Sequence, residues 1–129
     1  MKKGKKITDA ELYIMKILWK KSPLTASQII DELKEETQWN PKTIHTLISR
    51  LVLKSVIGVQ KESPYKLYFP LVSEEYYRNV QTRSFLEKVY NGSFPLLIAN
   101  FIKEEKLSDK EINELKAILN SQIDEGEKS

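Results

Sequence analysis

The chain has 129 residues, 40% of them hydrophobic and 30% charged, which is enough for one compact domain or two small ones. It carries 21 Lys and Arg against 18 Asp and Glu. No run approaches the roughly 18 apolar residues of a membrane span, so we expect a cytoplasmic protein without membrane insertion. The absence of cysteine and the single histidine leave little for a metal site, a cofactor or a catalytic triad, and we expect no enzyme.

The sequence near the N-terminus predicts the starts of two helices. Thr8 is followed three residues later by Glu11, which is the capping box at the start of a helix, and the helix should run from about Asp9 to Lys20. The same spacing recurs at Thr25 and Gln28, which predicts a second, shorter helix.

A third helix is predicted from Pro41 to Lys54, with Asn40 as its cap and Pro41 at the first helical position, where a missing N–H costs nothing. Its apolar residues recur at the spacing of one helix face, and they are Ile44, Leu47, Ile48 and Leu51. The opposite face carries no acid, and it consists of Lys42, Thr43, His45, Thr46, Ser49 and Arg50.

The side chains of this acid-free face are of the types that bind DNA. Hydroxyls can contact base edges and phosphates, lysine reaches phosphates, and arginine can bridge two acceptors of guanine. Residues 1–70 also hold 13 basic against 7 acidic residues, whereas residues 71–129 hold 8 against 11. The alternative is an ordinary solvated face, but such faces usually include acids. We predict contacts to double-stranded DNA from Lys42, Thr43, His45, Thr46 and Arg50.

After the third helix the apolar period changes from 3.6 to 2, which predicts a β-hairpin with one buried face. The alternating residues are Ile57 and Val59 before the turn and Leu67, Phe69 and Leu71 after it. Lys61 and Lys66 near the hairpin tip are further candidates for DNA contact, although such tips are often charged for solubility alone. Three helices and a hairpin predict a winged helix-turn-helix domain over residues 7–71.

The rest of the chain predicts three more helices. The first begins after Ser73 and ends at Asn91 and Gly92, a left-handed cap signal; the second covers about residues 95–104; the third follows Ser108. Because so short a domain buries too little surface by itself, we expect two copies to pair over residues 74–123. The predicted fold is therefore mainly α, a winged helix-turn-helix followed by a three-helix dimerisation domain. The predicted dimer contacts are Tyr90, Leu97, Phe101, Ile112, Leu115 and Leu119.

Three segments resemble the penicillinase repressor family, the BlaI/MecI-type regulators of β-lactam resistance. They are TDAELYIMKILWK, WNPKTIHTLISRLVLKSVI and KVYNGSFPLLIANFIKEEKLSDKEINELKAIL, and the resemblance extends from about Ile7 to Leu119. It implies a homodimeric repressor that binds a palindromic operator and blocks transcription of β-lactamase or penicillin-resistance genes. The family's DNA contacts would fall on Lys42, Thr43, Thr46 and Arg50.

The resemblance also implies how the repressor is released. A membrane sensor that binds β-lactam and carries a cytoplasmic metalloprotease domain would cut the chain between Asn100 and Phe101. Two departures stand out: no cysteine is present for the metal-induced release of copper-responsive relatives, and His45 stands where an arginine is expected. Two alternatives stay open, a repressor of this fold controlling an unrelated operon and a helical protein-interaction module without a DNA role.

Overall fold

The computed structural model describes residues 6–62 and 64–128. The elements in chain order are the helices α1 (Asp9–Lys20), α2 (Ala26–Leu33) and α3 (Pro41–Leu53), the strands β1 (Ile57–Glu62) and β2 (Tyr65–Pro70), and the helices α4 (Glu74–Tyr90), α5 (Phe94–Glu104) and α6 (Asp109–Lys128). The predicted class, mainly α with a winged helix-turn-helix, is confirmed. The chain divides into two units, Met1–Thr82 and Arg83–Ser129, here called the first and second unit.

The predicted helix starts in the first unit are confirmed by their hydrogen bonds. The backbone N–H of Glu11 donates to Thr8 Oγ1 at 3.2 Å, and the N–H of Thr8 donates to Glu11 Oε1 at 3.0 Å. Thr25 and Gln28 form the same reciprocal pair, at 3.2 Å and 2.8 Å. Each box satisfies two N–H groups that have no partner inside the helix, and so fixes where the helix begins.

The helices α1, α2 and α3 enclose one apolar core. Its most deeply buried side chains are Ile14, Met15, Leu18, Ile29, Leu33, Ile44, Leu51, Val56 and Ile57. All three helices and the start of β1 therefore contribute to the same core, which fixes the inward side of α3 and leaves its other side to solvent.

The two strands pair antiparallel, and their register corrects the predicted buried face. Gly58 lies opposite Phe69 and Val59 lies opposite Tyr68. Since residues directly opposite each other share a face, Phe69 and Leu67 lie on the face away from Ile57 and Val59. The prediction of one face shared by Ile57, Val59, Leu67, Phe69 and Leu71 is wrong; the core is contacted by Ile57 and Tyr68, and Leu71 is exposed.

Two contacts explain this orientation of the second strand. Tyr68 exchanges backbone hydrogen bonds with Leu24, its N–H donating at 2.7 Å and its carbonyl accepting at 3.0 Å. On the other face the ring of Phe69 lies over Gly58, where a Cβ would come within 2.5 Å of Phe69 Cζ. Because Gly58 has no side chain, the ring of Phe69 can pack over its backbone on the face away from the core.

In the second unit the helix caps are formed by the residues predicted from the sequence, except at the start of α5. Asn91 and Gly92 have positive φ of 51° and 82°, which confirms the left-handed end of α4. The backbone N–H of Leu96 donates to Ser93 Oγ at 3.1 Å, so α5 begins one residue earlier than predicted. Ser108 and Glu111 form a further capping box at the start of α6, with bonds of 3.1 Å and 3.0 Å.

The second unit has no buried side chain among residues 83–123, the part for which exposure is described. Its exposed large apolar side chains are Phe85, Val89, Phe94, Leu96, Phe101, Ile102, Ile112, Ile118, Leu119 and Ile123. Within the described residues, no helix is both long enough and apolar enough to cross a membrane.

Candidate nucleic-acid interface

The helix α3 presents one face to solvent because its other face is anchored in the core. Asn40 Oδ1 accepts a hydrogen bond from the N–H of Thr43 at 2.9 Å, with Pro41 in the first turn, as predicted. The four inward residues, Ile44, Leu47, Ile48 and Leu51, are all buried. The exposed side chains are Lys42, Thr43, His45, Thr46, Ser49 and Arg50, so the structure places all five predicted helix residues together on the surface.

This exposed side of α3, here called the α3 face, is rich in hydrogen-bonding groups and positive charge. Lys42 and Arg50 form no ion pair with the other residues that the structure describes. The hydroxyl of Thr46 donates to the carbonyl of Lys42 at 3.1 Å, which leaves its oxygen lone pairs as acceptors. The face can therefore offer cationic donors to an anion and short polar side chains to base edges.

A partly buried ion pair ties the C-terminal end of α3 to the start of α1. Lys54 Nζ donates to Glu11 Oε1 at 2.6 Å and to the carbonyl of Lys6 at 3.1 Å. The Glu11 side chain is 1% exposed, and its Oε2 is buried without a hydrogen-bond partner among the described residues. The sequence interpretation assigned Glu11 to the capping box alone. The spacing of the sequence could have indicated its burial, because Glu11 lies on the same helix face as the core residues Ile14, Met15 and Leu18.

The pKa of the Glu11 carboxyl reflects two opposing effects. Burial raises it, since a charge is poorly solvated away from water. The hydrogen bond and charge of Lys54, with the N–H of Thr8, stabilise the carboxylate and outweigh burial, so the pKa lies below its ordinary value of 4.5. The Glu11 carboxylate is therefore charged at neutral pH, and its charge-assisted hydrogen bond with Lys54 holds the end of α3.

The wing brings the two predicted lysines together. Lys61 lies directly opposite Lys66 in the register, on the same face as Ile57 and Tyr68 but at the far end of the hairpin. Both side chains are exposed. Like charges directly opposite each other destabilise a strand pair, and an anion placed between them would remove that repulsion.

The remaining predicted residues lie in the second unit. The bond between Asn100 and Phe101 lies inside α5, and Asn100 Nδ2 donates to the hydroxyl of Tyr90 at 3.0 Å. The predicted dimer contacts divide by exposure: Tyr90, Leu97 and Leu115 are half-buried, whereas Phe101, Ile112 and Leu119 are exposed.

Comparison with known proteins gives consistent matches. Residues 7–121 match the family described as the penicillinase repressor. The penicillinase repressor of Bacillus licheniformis is 41% identical over 119 residues, which is 92% of this chain and 93% of the relative. The methicillin resistance regulatory protein MecI of Staphylococcus aureus (strain N315) is 41% identical over 114 residues, 88% of this chain and 93% of the relative. The solution structure of monomeric Bacillus licheniformis BlaI in complex with the blaP half-operator is 40% identical, with a TM-score of 0.52, and covers 60% of this chain and 94% of that one.

Proposed function

We propose that this chain, which belongs to the penicillinase repressor family, is a DNA-binding transcriptional repressor of β-lactam resistance genes that acts in the cytoplasm. The relatives carry the names of a penicillinase repressor and a methicillin resistance regulator, and the BlaI relative was solved with half of an operator. The observation that carries the proposal is the α3 face, which is exposed, cationic and free of acids.

In this proposal the α3 face enters the major groove. Arg50 can donate two hydrogen bonds to O6 and N7 of guanine, the commonest specific contact in that groove. Thr43, His45 and Thr46 are placed to contact base edges or phosphates, and Lys42, in the first turn, to neutralise a phosphate. The ion pair between Glu11 and Lys54 supports this role because it fixes the far end of the helix.

The wing supplies a second contact. Lys61 and Lys66 lie on one face of the hairpin tip and together can clamp a flanking phosphate, which would relieve their mutual repulsion. This contact adds affinity without reading sequence and should show as salt dependence of binding.

We propose further that residues 74–123 form the dimerisation domain of a homodimer. The exposed apolar side chains of the second unit support this, because one copy alone leaves them in water. A dimer engages both halves of a palindromic operator, and the second contact becomes effectively intramolecular. The resulting gain in affinity is about 10²- to 10⁴-fold.

Release would follow from scission of the bond between Asn100 and Phe101 by a β-lactam-responsive membrane sensor protease. Scission there detaches α6 and the last turn of α5 from the protomer. The cut would remove Leu115 and Leu119 from the proposed dimer contact while leaving the α3 face intact. The bond lies within a helix, so cleavage requires local opening of α5.

The test is a titration of the full chain against a palindromic β-lactamase promoter duplex and a scrambled duplex, each at two salt concentrations. Arg50→Ala should weaken operator binding by ~1 to 3 kcal/mol and relax preference at one base pair. Arg78→Ala is the matched control, since Arg78 lies on α4, outside the α3 face and the wing.

Three results would contradict parts of the proposal. Equal loss on both duplexes for Arg50→Ala would restrict that residue to a phosphate contact. Equal weak binding of the wild type to both duplexes would indicate a repressor of another operon. No salt-dependent duplex binding at all would favour a protein-interaction module.

A further inference from the structure

Leu53, the last residue of α3, is exposed to an unusual degree. Its side chain is 84% exposed, the highest value among the exposed large hydrophobic side chains of the described residues. A leucine in this position gains nothing from the core, since the inward side of the helix is already filled.

Leu53 continues the α3 face by one turn. At about 100° per residue, it lies within roughly 20° of Thr46 around the helix axis and between the directions of Ser49 and Arg50. It is also about opposite the buried residues Ile44 and Leu51. An apolar side chain therefore stands at the C-terminal end of a surface that is otherwise polar and cationic.

A leucine can read one group in the major groove. It can neither donate nor accept a hydrogen bond, so the donors and acceptors of guanine, cytosine and adenine offer it no specific contact. The C5-methyl group of thymine is the apolar feature of the base edges in this groove. The rise from Thr46 to Leu53 is about 10 Å, close to three base-pair steps.

We propose that Leu53 is a specificity-determining contact, which packs on a thymine methyl group at most about three base pairs from the position that Thr46 contacts. The inference rests on the proposed function and deepens it. Removing most of the side chain should reduce operator affinity roughly 5- to 30-fold, by loss of the apolar area that the contact buries.

The experiment pairs a protein change with a DNA change. Leu53→Ala and Leu53→Met are titrated, with the wild type, against operator duplexes in which each thymine of the half-site is replaced in turn by deoxyuridine, which lacks only the methyl group. Leu71→Ala is the matched control, an exposed leucine outside α3. Thermal unfolding should be unchanged in both alanine variants, because neither side chain is in the core.

The expected result is one thymine whose replacement weakens binding by the wild type and by Leu53→Met but not by Leu53→Ala. The protein change and the DNA change are then non-additive in a double-mutant cycle, which indicates direct contact. A different result is that the wild type binds the operator selectively while every deoxyuridine replacement weakens binding by the wild type and by Leu53→Ala equally. That result would overturn this inference alone. Failure of the wild type to prefer the operator over a scrambled duplex would overturn the proposed function and this inference together.

Discussion

Replacing Lys54 by methionine should destabilise the first unit strongly, although Lys54 lies at its surface. The change keeps an unbranched apolar side chain as far as Cε but removes the ammonium that donates to Glu11 Oε1. The carboxylate then stays buried with the N–H of Thr8 as its main remaining partner. A buried charge without its counter-ion is costly because water no longer solvates it.

The size of the effect follows from the exposure of the two partners. Removing one partner of a fully buried pair costs about 3 to 5 kcal/mol. Here Glu11 is 1% exposed but Lys54 is 33% exposed, so solvent already screens part of the interaction. We therefore expect a loss of about 2 to 3 kcal/mol, or a fall in Tm of roughly 10 to 20 °C for a unit of this size.

The assay is urea unfolding followed by tryptophan fluorescence, with Lys21→Met as the matched control. Lys21 and Glu32 approach to 2.8 Å but are 60% and 42% exposed, so the control should change stability by less than about 0.5 kcal/mol. Equal effects of the two substitutions would refute the reasoning, because burial of Glu11 would then carry no energetic weight.

The effect of Lys54→Met should also depend on pH. In the wild type the pKa of Glu11 is lower in the folded state than its ordinary value of 4.5, so the pair stabilises the fold above that pH and loses this effect as pH falls further. Without Lys54, burial instead raises the pKa of Glu11, and protonation relieves the variant. The difference in stability should be largest at neutral pH. It should shrink first above pH 4.5, as Glu11 of the variant takes up a proton, and further below pH 4.5, as the wild-type pair is lost.

Three further substitutions test other contacts. Gly58→Ala should cost about 1 to 3 kcal/mol in urea unfolding, because the new Cβ would meet the ring of Phe69; an unchanged midpoint would mean that the ring moves away freely. Tyr90→Phe removes the acceptor of the Asn100 amide and should speed limited proteolysis within α5 roughly 2- to 10-fold by mass spectrometry, whereas an unchanged rate would exclude this restraint. Leu119→Ser should weaken self-association more than about 10-fold in sedimentation, and an intact dimer would remove this residue from the contact.

The helix starts could be predicted from sequence because capping is local. Thr8, Thr25, Asn40 and Ser108 each cap a helix through a residue at most three positions away, so the necessary information lies in a few consecutive residues. The α3 face was predictable for the same reason. A helix with one apolar stripe has a single way to meet a core.

The orientation of the second strand could not be predicted in this way. Alternation gives the period of a strand but not which of its two faces meets the core, and a shift by one residue exchanges them. The choice here depends on the backbone pairing of Tyr68 with Leu24, which are far apart in sequence, and on the space that Gly58 leaves for Phe69. The burial of Glu11 likewise depends on Lys54, 43 positions away.

The two units should respond differently to dilution, since all the buried core residues among the described side chains lie in the first unit. If the apolar side chains of the second unit are covered by a second copy, its stability follows mass action, whereas that of the first unit does not. The two tryptophans, Trp19 and Trp39, both lie in the first unit, so their fluorescence reports on it alone, while far-UV circular dichroism reports on every helix. Hundredfold dilution should leave the urea midpoint followed by fluorescence unchanged. Circular dichroism should show a second unfolding transition, from the second unit, whose urea midpoint falls on dilution. Coincident midpoints at both concentrations would mean that the helices after Thr82 do not depend on a second copy, and would count against the proposed pairing.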